Sequence, residues 1–164
     1  MRLKKIIKQL EGKFPLELAE EWDNVGLLLD STRREIKSIM LCLDITRDVV
    51  DKAVANKVDL IISHHPFIFS PLKKITTDEV NGEKILKLAR NNIAVYSMHT
   101  NIDSGIGGLN DFIIKKIGQE GKVFAISNNR SIELRKLVTS DLIDAKDKII
   151  NPLRIQKLKS AITI

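Results

Sequence analysis

Three histidines and an aspartate, His64, His65, His99 and Asp103, combine residue types that suit a metal ion, and they fall in two short stretches. The first reads Asp59-Leu60-Ile61-Ile62-Ser63-His64-His65-Pro66; the second runs from Ile93-Ala94-Val95-Tyr96-Ser97 through Met98-His99-Thr100-Asn101-Ile102-Asp103. In each, an apolar β-like run leads straight into histidine, and the chain has no histidine elsewhere. Ligands of open α/β sheets bind outside the carboxyl ends of the strands. Two His-bearing strand ends therefore read as two walls of one site, and imidazole with carboxylate is metal-binding chemistry.

Each motif has a plainer role to weigh. A single histidine at a strand end usually caps it or fills a gap, but a pair facing a second His/Asp motif favours metal. On an extended backbone His64 and His65 point to opposite sides, which suits two ions better than chelation of one. Pro66 stiffens the exit and removes a backbone donor. His99 and Asp103 lie four apart in a turn containing Asn and Gly, where Asp103 either binds an ion or caps the turn. In the first case His99 orients it or moves a proton. Asp44 ends the strand beside the one that carries His64 and His65, so it either lines the same cleft or caps locally near Thr46. Asp23-Asn24 is a further polar pair at an element end. Ser63 lacks a Gly-x-Ser-x-Gly elbow and is discounted as a nucleophile. Gly105-Ile106-Gly107-Gly108 fits neither phosphate-binding fingerprint.

The elements that must position these residues follow an α/β rhythm. Leu3, Ile6, Ile7 and Leu10 have helical spacing, so the chain opens on an amphipathic helix. Phe14 to Trp22 reads as a second short helix with proline near its start, and Val25 to Leu29 as a strand. Ile36 to Leu43 is a strand ending at Asp44. Thr46 caps a helix to about Asn56, striped by Val49, Val50, Ala53 and Val54, and Asp59 to Ile62 is a buried strand. A helix opened by Thr77 or Asp78 and a strand from Ile93 to Ser97 repeat the unit, so the strands are parallel with right-handed crossovers. Gly107 to Ile117 reads helical, Lys122 to Ile126 extended and Ser131 to about Lys148 helical. Leu158 to Ile164 reads as a strand beginning.

Composition narrows the function classes. The chain has 164 residues, 43% hydrophobic and 29% charged, enough for one domain or a little more with a sizeable core. No apolar run approaches the roughly 18 residues of a membrane span, and the lysine-rich start has no apolar core of a secretory signal. Cys42 is the only cysteine, so no intrachain disulfide forms, and a reduced, cytoplasmic protein is expected, with Cys42 a small core residue in a strand. The net charge of +6 comes from lysines and arginines spread along the chain. That suits a solvated surface, or a small-molecule anion as ligand, better than nucleic acid.

Four blocks, in order, resemble the GTP cyclohydrolase 1 type 2 homologues, also called NIF-three-like proteins. They are Ala19 to Leu27, the strand ending at Asp44, Ile61 to Phe69, and Tyr96 to Asp103 with Gly108 to Asp111. The resemblance implies an α/β three-layer sandwich with a mixed, largely parallel sheet. It also implies assembly as a homo-oligomer, a hexameric ring, with two divalent ions (Zn, Fe, Mn or Mg) at each complete site. By motif, His64, His65 and Asp103 would be metal ligands, with His99 and Asp44 beside them for proton transfer or ligand support. The family's remaining ligands come from a C-terminal His-x-x-x-Glu motif, and no histidine follows His99. Residues 1–126 are thus expected to form the metal-bearing domain. Residues 127–164 would supply a helical connection and the first strand of a second half that the chain lacks. The expected function is metal-dependent hydrolysis of a nucleotide-like small molecule, impaired by the missing ligands. The alternative is a non-catalytic metal-binding or assembly protein with a partner-binding role.

Overall fold

Two short, almost wholly buried strands form the middle of the sheet, and their sequences explain the burial. The computed structural model describes residues 1–33 and 35–117. Strand β3 (Leu60–Ser63) and strand β4 (Ala94–Ser97) are the near-continuous apolar runs of the two histidine motifs. Runs without a polar face belong between two covered faces. β3 is flanked by β2 (Ile39–Cys42) and β4 by β1 (Gly26–Leu29), giving the order β1-β4-β3-β2. β2, β3 and β4 are parallel, whereas β1 runs antiparallel to β4, with Gly26 opposite Ser97. The sheet is mixed and largely parallel, as expected.

Side-chain alternation divides the core in two. Ile61 and Val95 point into a cluster with Val50, Ala53, Ile85 and Leu88, which come from helices α2 (Arg47–Ala55) and α3 (Val80–Arg90). Leu60, Ala94 and Tyr96 point the other way, onto Leu3 and Ile6 of helix α1 (Leu3–Lys13). α2 and α3 thus share one face, the placement expected of two successive crossovers of the same hand, and the amphipathic first helix covers the other. Three layers result. No helix among the described residues is long and apolar enough to cross a membrane.

Local signals set the ends of these elements. Thr46 Oγ1 accepts the Val49 amide and caps α2. Helix α2 ends with Val58 N–H on the Ala53 carbonyl and Lys57 N–H on Val54; α3 ends with Ile93 on Leu88 and Asn92 on Ala89. This is the same left-handed stop twice, with φ of 52° at Lys57 and 53° at Asn92. Each stop delivers the chain directly into a histidine-bearing strand. Phe14 to Trp22 departs from expectation: only Leu16–Leu18 is helical, a single 3-10 turn, and Ala19 is already extended. The Glu20 amide there donates to Thr100 Oγ1 instead of continuing a helix.

Contacts divide the chain into two compact units, Met1–Gly105 and Ile106–Ile164. The second contributes helix α5 (Leu109–Ile117) to the description, matching the helix read from the sequence. The extended run at 122–126, the helix at 131–148, the terminal strand and the whole 127–164 domain lie outside the described residues.

Asp59, at the mouth of β3, ties the sheet to the segment before β2. Its carboxylate accepts the Lys37 and Ser38 amides at 2.8 and 3.0 Å and the Arg33 guanidinium at 2.6 Å. Burial would raise this carboxyl, but the two amides and Arg33 outweigh it and hold it below the usual carboxylate range. The ionised form is the one the fold favours. Its stabilisation is therefore complete above the unfolded-chain pKa, about 3.9, and is lost as pH falls through the lower folded value. In urea titrations at pH 7, Asp59→Asn should cost about 1–3 kcal/mol. The gap between wild type and variant should narrow as pH falls below the usual carboxylate range; a gap independent of pH would remove this account.

Candidate metal centre

The carboxyl ends of β3 and β4 are adjacent, because Ser63 pairs with Ser97 in register. Both histidine motifs therefore leave the sheet side by side. The strand geometry stops at Ser63. The next two amides, His64 and His65, donate to the consecutive carbonyls Cys42 and Leu43. An extended strand would aim successive amides to opposite sides, so the backbone has turned and the side-to-side alternation no longer governs. Both imidazoles face the same centre.

His99 enters from β4. It caps the one-turn helix α4 (Thr100–Ser104), where the sequence suggested a non-helical turn, and the amides of Ile102 and Asp103 donate to its carbonyl. Asn101 is fully buried, accepting the His99 amide and donating to the Phe14 carbonyl. One ring nitrogen from each of His64, His65 and His99 lies within 4.8 Å of the other two. The ring centroids are 5.1 to 5.6 Å apart.

Each ring has its other nitrogen engaged by an oxygen that can only accept. His64 Nδ1 is 3.0 Å from the Met98 carbonyl, His65 Nδ1 is 2.7 Å from Asp44 Oδ1, and His99 Nδ1 is 3.0 Å from Asp23 Oδ1. A nitrogen facing such an acceptor carries the proton, so the Nε2 of each ring is the nitrogen left to offer a lone pair to a ligand. This is how ligating histidines are oriented in metal sites. Burial, reinforced by His99 and His65, lowers the His64 pKa against the pull of Asp103. The ring thus stays neutral and ready to donate its lone pair. Asp103 Oδ2 lies 3.8 Å from His64 Nε2, and burial raises its carboxyl despite the neighbouring imidazoles.

Asp23 was read only as a polar residue at an element end, yet it is the most constrained carboxylate here. Its side chain is 0% exposed. One oxygen takes the Asn24 amide and the His99 ring; the other takes both the amide and hydroxyl of Thr100. Burial would raise its pKa, but the Thr100 and His99 hydrogen bonds win and lower it. Asn24 donates to the Ile68 carbonyl, so this dipeptide pins one histidine segment and the loop that follows the other.

A second clamp lies beneath. The Phe67 amide donates to Ser97 Oγ at 3.3 Å, the two serine hydroxyls are 2.8 Å apart, and Ser63 Oγ donates to the His65 carbonyl at 2.9 Å. Ser63 and Ser97 are buried, so the serine set aside as a nucleophile instead fixes the backbone that carries His65. Above the rings, exposed Trp22 stands edge-on to His99 and to Phe69, each at 6.1 Å. Cys42 is partly buried against the core, as expected.

Against known proteins, the profile of the Duf34/NIF3 (NGG1p interacting factor 3) family matches residues 1–162. The chain belongs to this family. A Clostridium acetobutylicum relative named GTP cyclohydrolase 1 type 2 homolog is 34% identical over 168 residues, covering 97% of this chain and 62% of the relative. A Bacillus cereus protein related to NIF3 has a solved structure with TM-score 0.71 and 38% identity, over 77% of this chain and 35% of that one. Reduced HcgD from Methanocaldococcus jannaschii matches with TM-score 0.67 and 35% identity, over 74% of this chain and 49% of that one. The chain thus spans less than two thirds of the length of each of these proteins.

Proposed function

We propose that this chain carries part of the metal-binding half of a hydrolase that uses divalent ions on a nucleotide-like small molecule. One observation carries the reading: three imidazoles converge, each with its second nitrogen engaged by an oxygen acceptor. The donor set fits a metal, and three imidazole donors suit Zn or Fe better than Mg. His64, His65 and Asp103 would hold the ion. His99, set among them, would complete its grip or pass a proton. Asp44 and Asp23 would keep His65 and His99 in register.

A divalent ion held there would act as a Lewis acid and bring the pKa of water at the site toward neutrality. Two ions at each complete site would draw on donors beyond this cluster. The relatives' name, GTP cyclohydrolase 1 type 2 homolog, points to a purine nucleotide as the first substrate to try. Hydrolysis of GTP should fall on chelation and return when the ion is restored. The reading fails if metal-loaded protein leaves GTP and other nucleotides intact.

The second reading, an assembly protein forming a homo-oligomeric ring, is favoured by exposed apolar residues at the sheet edge: Ile39 and Leu41 on strand β2 and Leu43 just after it are 45%, 74% and 57% exposed. Absence of turnover together with a ring-sized particle by light scattering would select it.

A further inference from the structure

A cavity of about 530 Å³ opens beside His65. Thr46 in the β2–α2 connection, Phe67 and Phe69 in the segment after His65, and Asn81 and Lys84 of α3 line it. The volume falls in the range of small-molecule sites and is too small for a folded partner. It lies at the carboxyl ends of two adjacent parallel strands, where α/β sheets bind ligands.

Lys84 is unlike the cations around it. Arg47 pairs with Glu83, Lys52 with Asp48, and Lys87 with Asp51. Among the described residues, Lys84 makes no ion pair. Its Nζ donates to the Ile45 carbonyl at 2.8 Å and lies 5.4 Å from the Phe67 ring centroid, which leaves two ammonium hydrogens. Asp44, the carboxylate on the same cavity, is engaged by His65. Burial and the positive charge of Arg47 press on the Lys84 ammonium and outweigh the pull of Asp44, a deficit an anionic ligand would relieve. Phe69 and Leu72, both exposed at this cavity, offer apolar surface for the body of such a ligand.

We propose that this cavity is the subsite for a small organic anion, whose charged group binds Lys84 and whose apolar or aromatic body lies along the 67–72 segment. The ligand's reacting end would then lie toward His65. That last clause rests on the metal reading above; the anion subsite does not.

Phenyl phosphate, with phenol as its uncharged counterpart, probes the subsite by calorimetric titration, before and after chelation of the protein. Phenyl phosphate should bind with or without metal. Lys84→Gln should weaken it about tenfold or more, the scale of a lost charged hydrogen bond, without changing the phenol titration. Lys84→Arg should recover most of the affinity, and Asn81→Ala, at an exposed position, should weaken it less. Equal binding to wild type and Lys84→Gln overturns the proposal. So does binding that disappears on chelation equally in both, because the phosphate then sits on the ion; that result leaves the metal reading standing. Binding that survives chelation and depends on Lys84 upholds the subsite even if no turnover is ever found.

Discussion

His65→Ala and His99→Ala should each empty the centre of metal, as read by elemental analysis of protein purified without chelator. Either change leaves two of the three converging imidazoles. The loss of affinity should exceed the roughly 10–100-fold that removal of an orienting partner costs. Asp44→Asn and Asp23→Asn should fall inside that range, because each leaves the imidazole in place and weakens only its hold on Nδ1. The two orienting carboxylates should differ in stability. The Asp44 side chain is 56% exposed and contacts one ring, so its loss should leave the melting temperature of metal-free protein nearly unchanged. The Asp23 side chain is fully buried and serves Asn24, His99 and Thr100 together, so its substitution should lower that temperature as well. His65, with 44% of its side chain exposed, tests the site with little structural cost. Metal retained at wild-type stoichiometry in both histidine variants would end the assignment.

What was legible in the sequence was whatever one element's own residues decide. Thr46 as a cap, the apolar stripe of α2 and the unbroken apolar runs of β3 and β4 are local signals, and they place His64, His65 and His99 at neighbouring strand ends. The orientation of the imidazole pair was not legible. Alternation assumes that the strand continues through His65, and hydrogen bonding to Cys42 and Leu43 ends it two residues earlier. The Phe14–Trp22 helix failed for a related reason: Thr100, 80 positions away, takes the Glu20 amide. The role of Asp23 is equally non-local, since its partners His99 and Thr100 are 76 and 77 positions distant. Ser63 and Ser97 look like ordinary strand residues until the register sets them opposite each other. A sequence shows the ligands; their orienting partners emerge only when the strands pair.

The same substitution at two helical glycines should have opposite signs. Glycine in a helix interior costs about 0.5–1 kcal/mol relative to alanine, so propensity alone favours Gly→Ala in both α1 and α3. At exposed Gly12 a Cβ would meet nothing within 4 Å, and Gly12→Ala should stabilise by up to that amount. At Gly82 a Cβ would stand 2.2 Å from the Thr76 carbonyl oxygen and 2.7 Å from the Thr76 nitrogen. Those are backbone atoms, so no rotamer change relieves the clash, and either α3 or the 76 segment must move. Overpacking of this kind costs about 1–3 kcal/mol or more, and the smaller propensity gain does not offset it. Gly82→Ala should therefore lower the melting temperature by roughly 5 °C, while Gly12→Ala raises it slightly. Since Asn81 and Lys84 flank Gly82 on the same helix and line the cavity beside His65, a shifted α3 should also weaken phenyl phosphate binding. A stable Gly82→Ala protein with unaltered anion affinity would mean that the 76 segment yields freely and that α3 is not held against it.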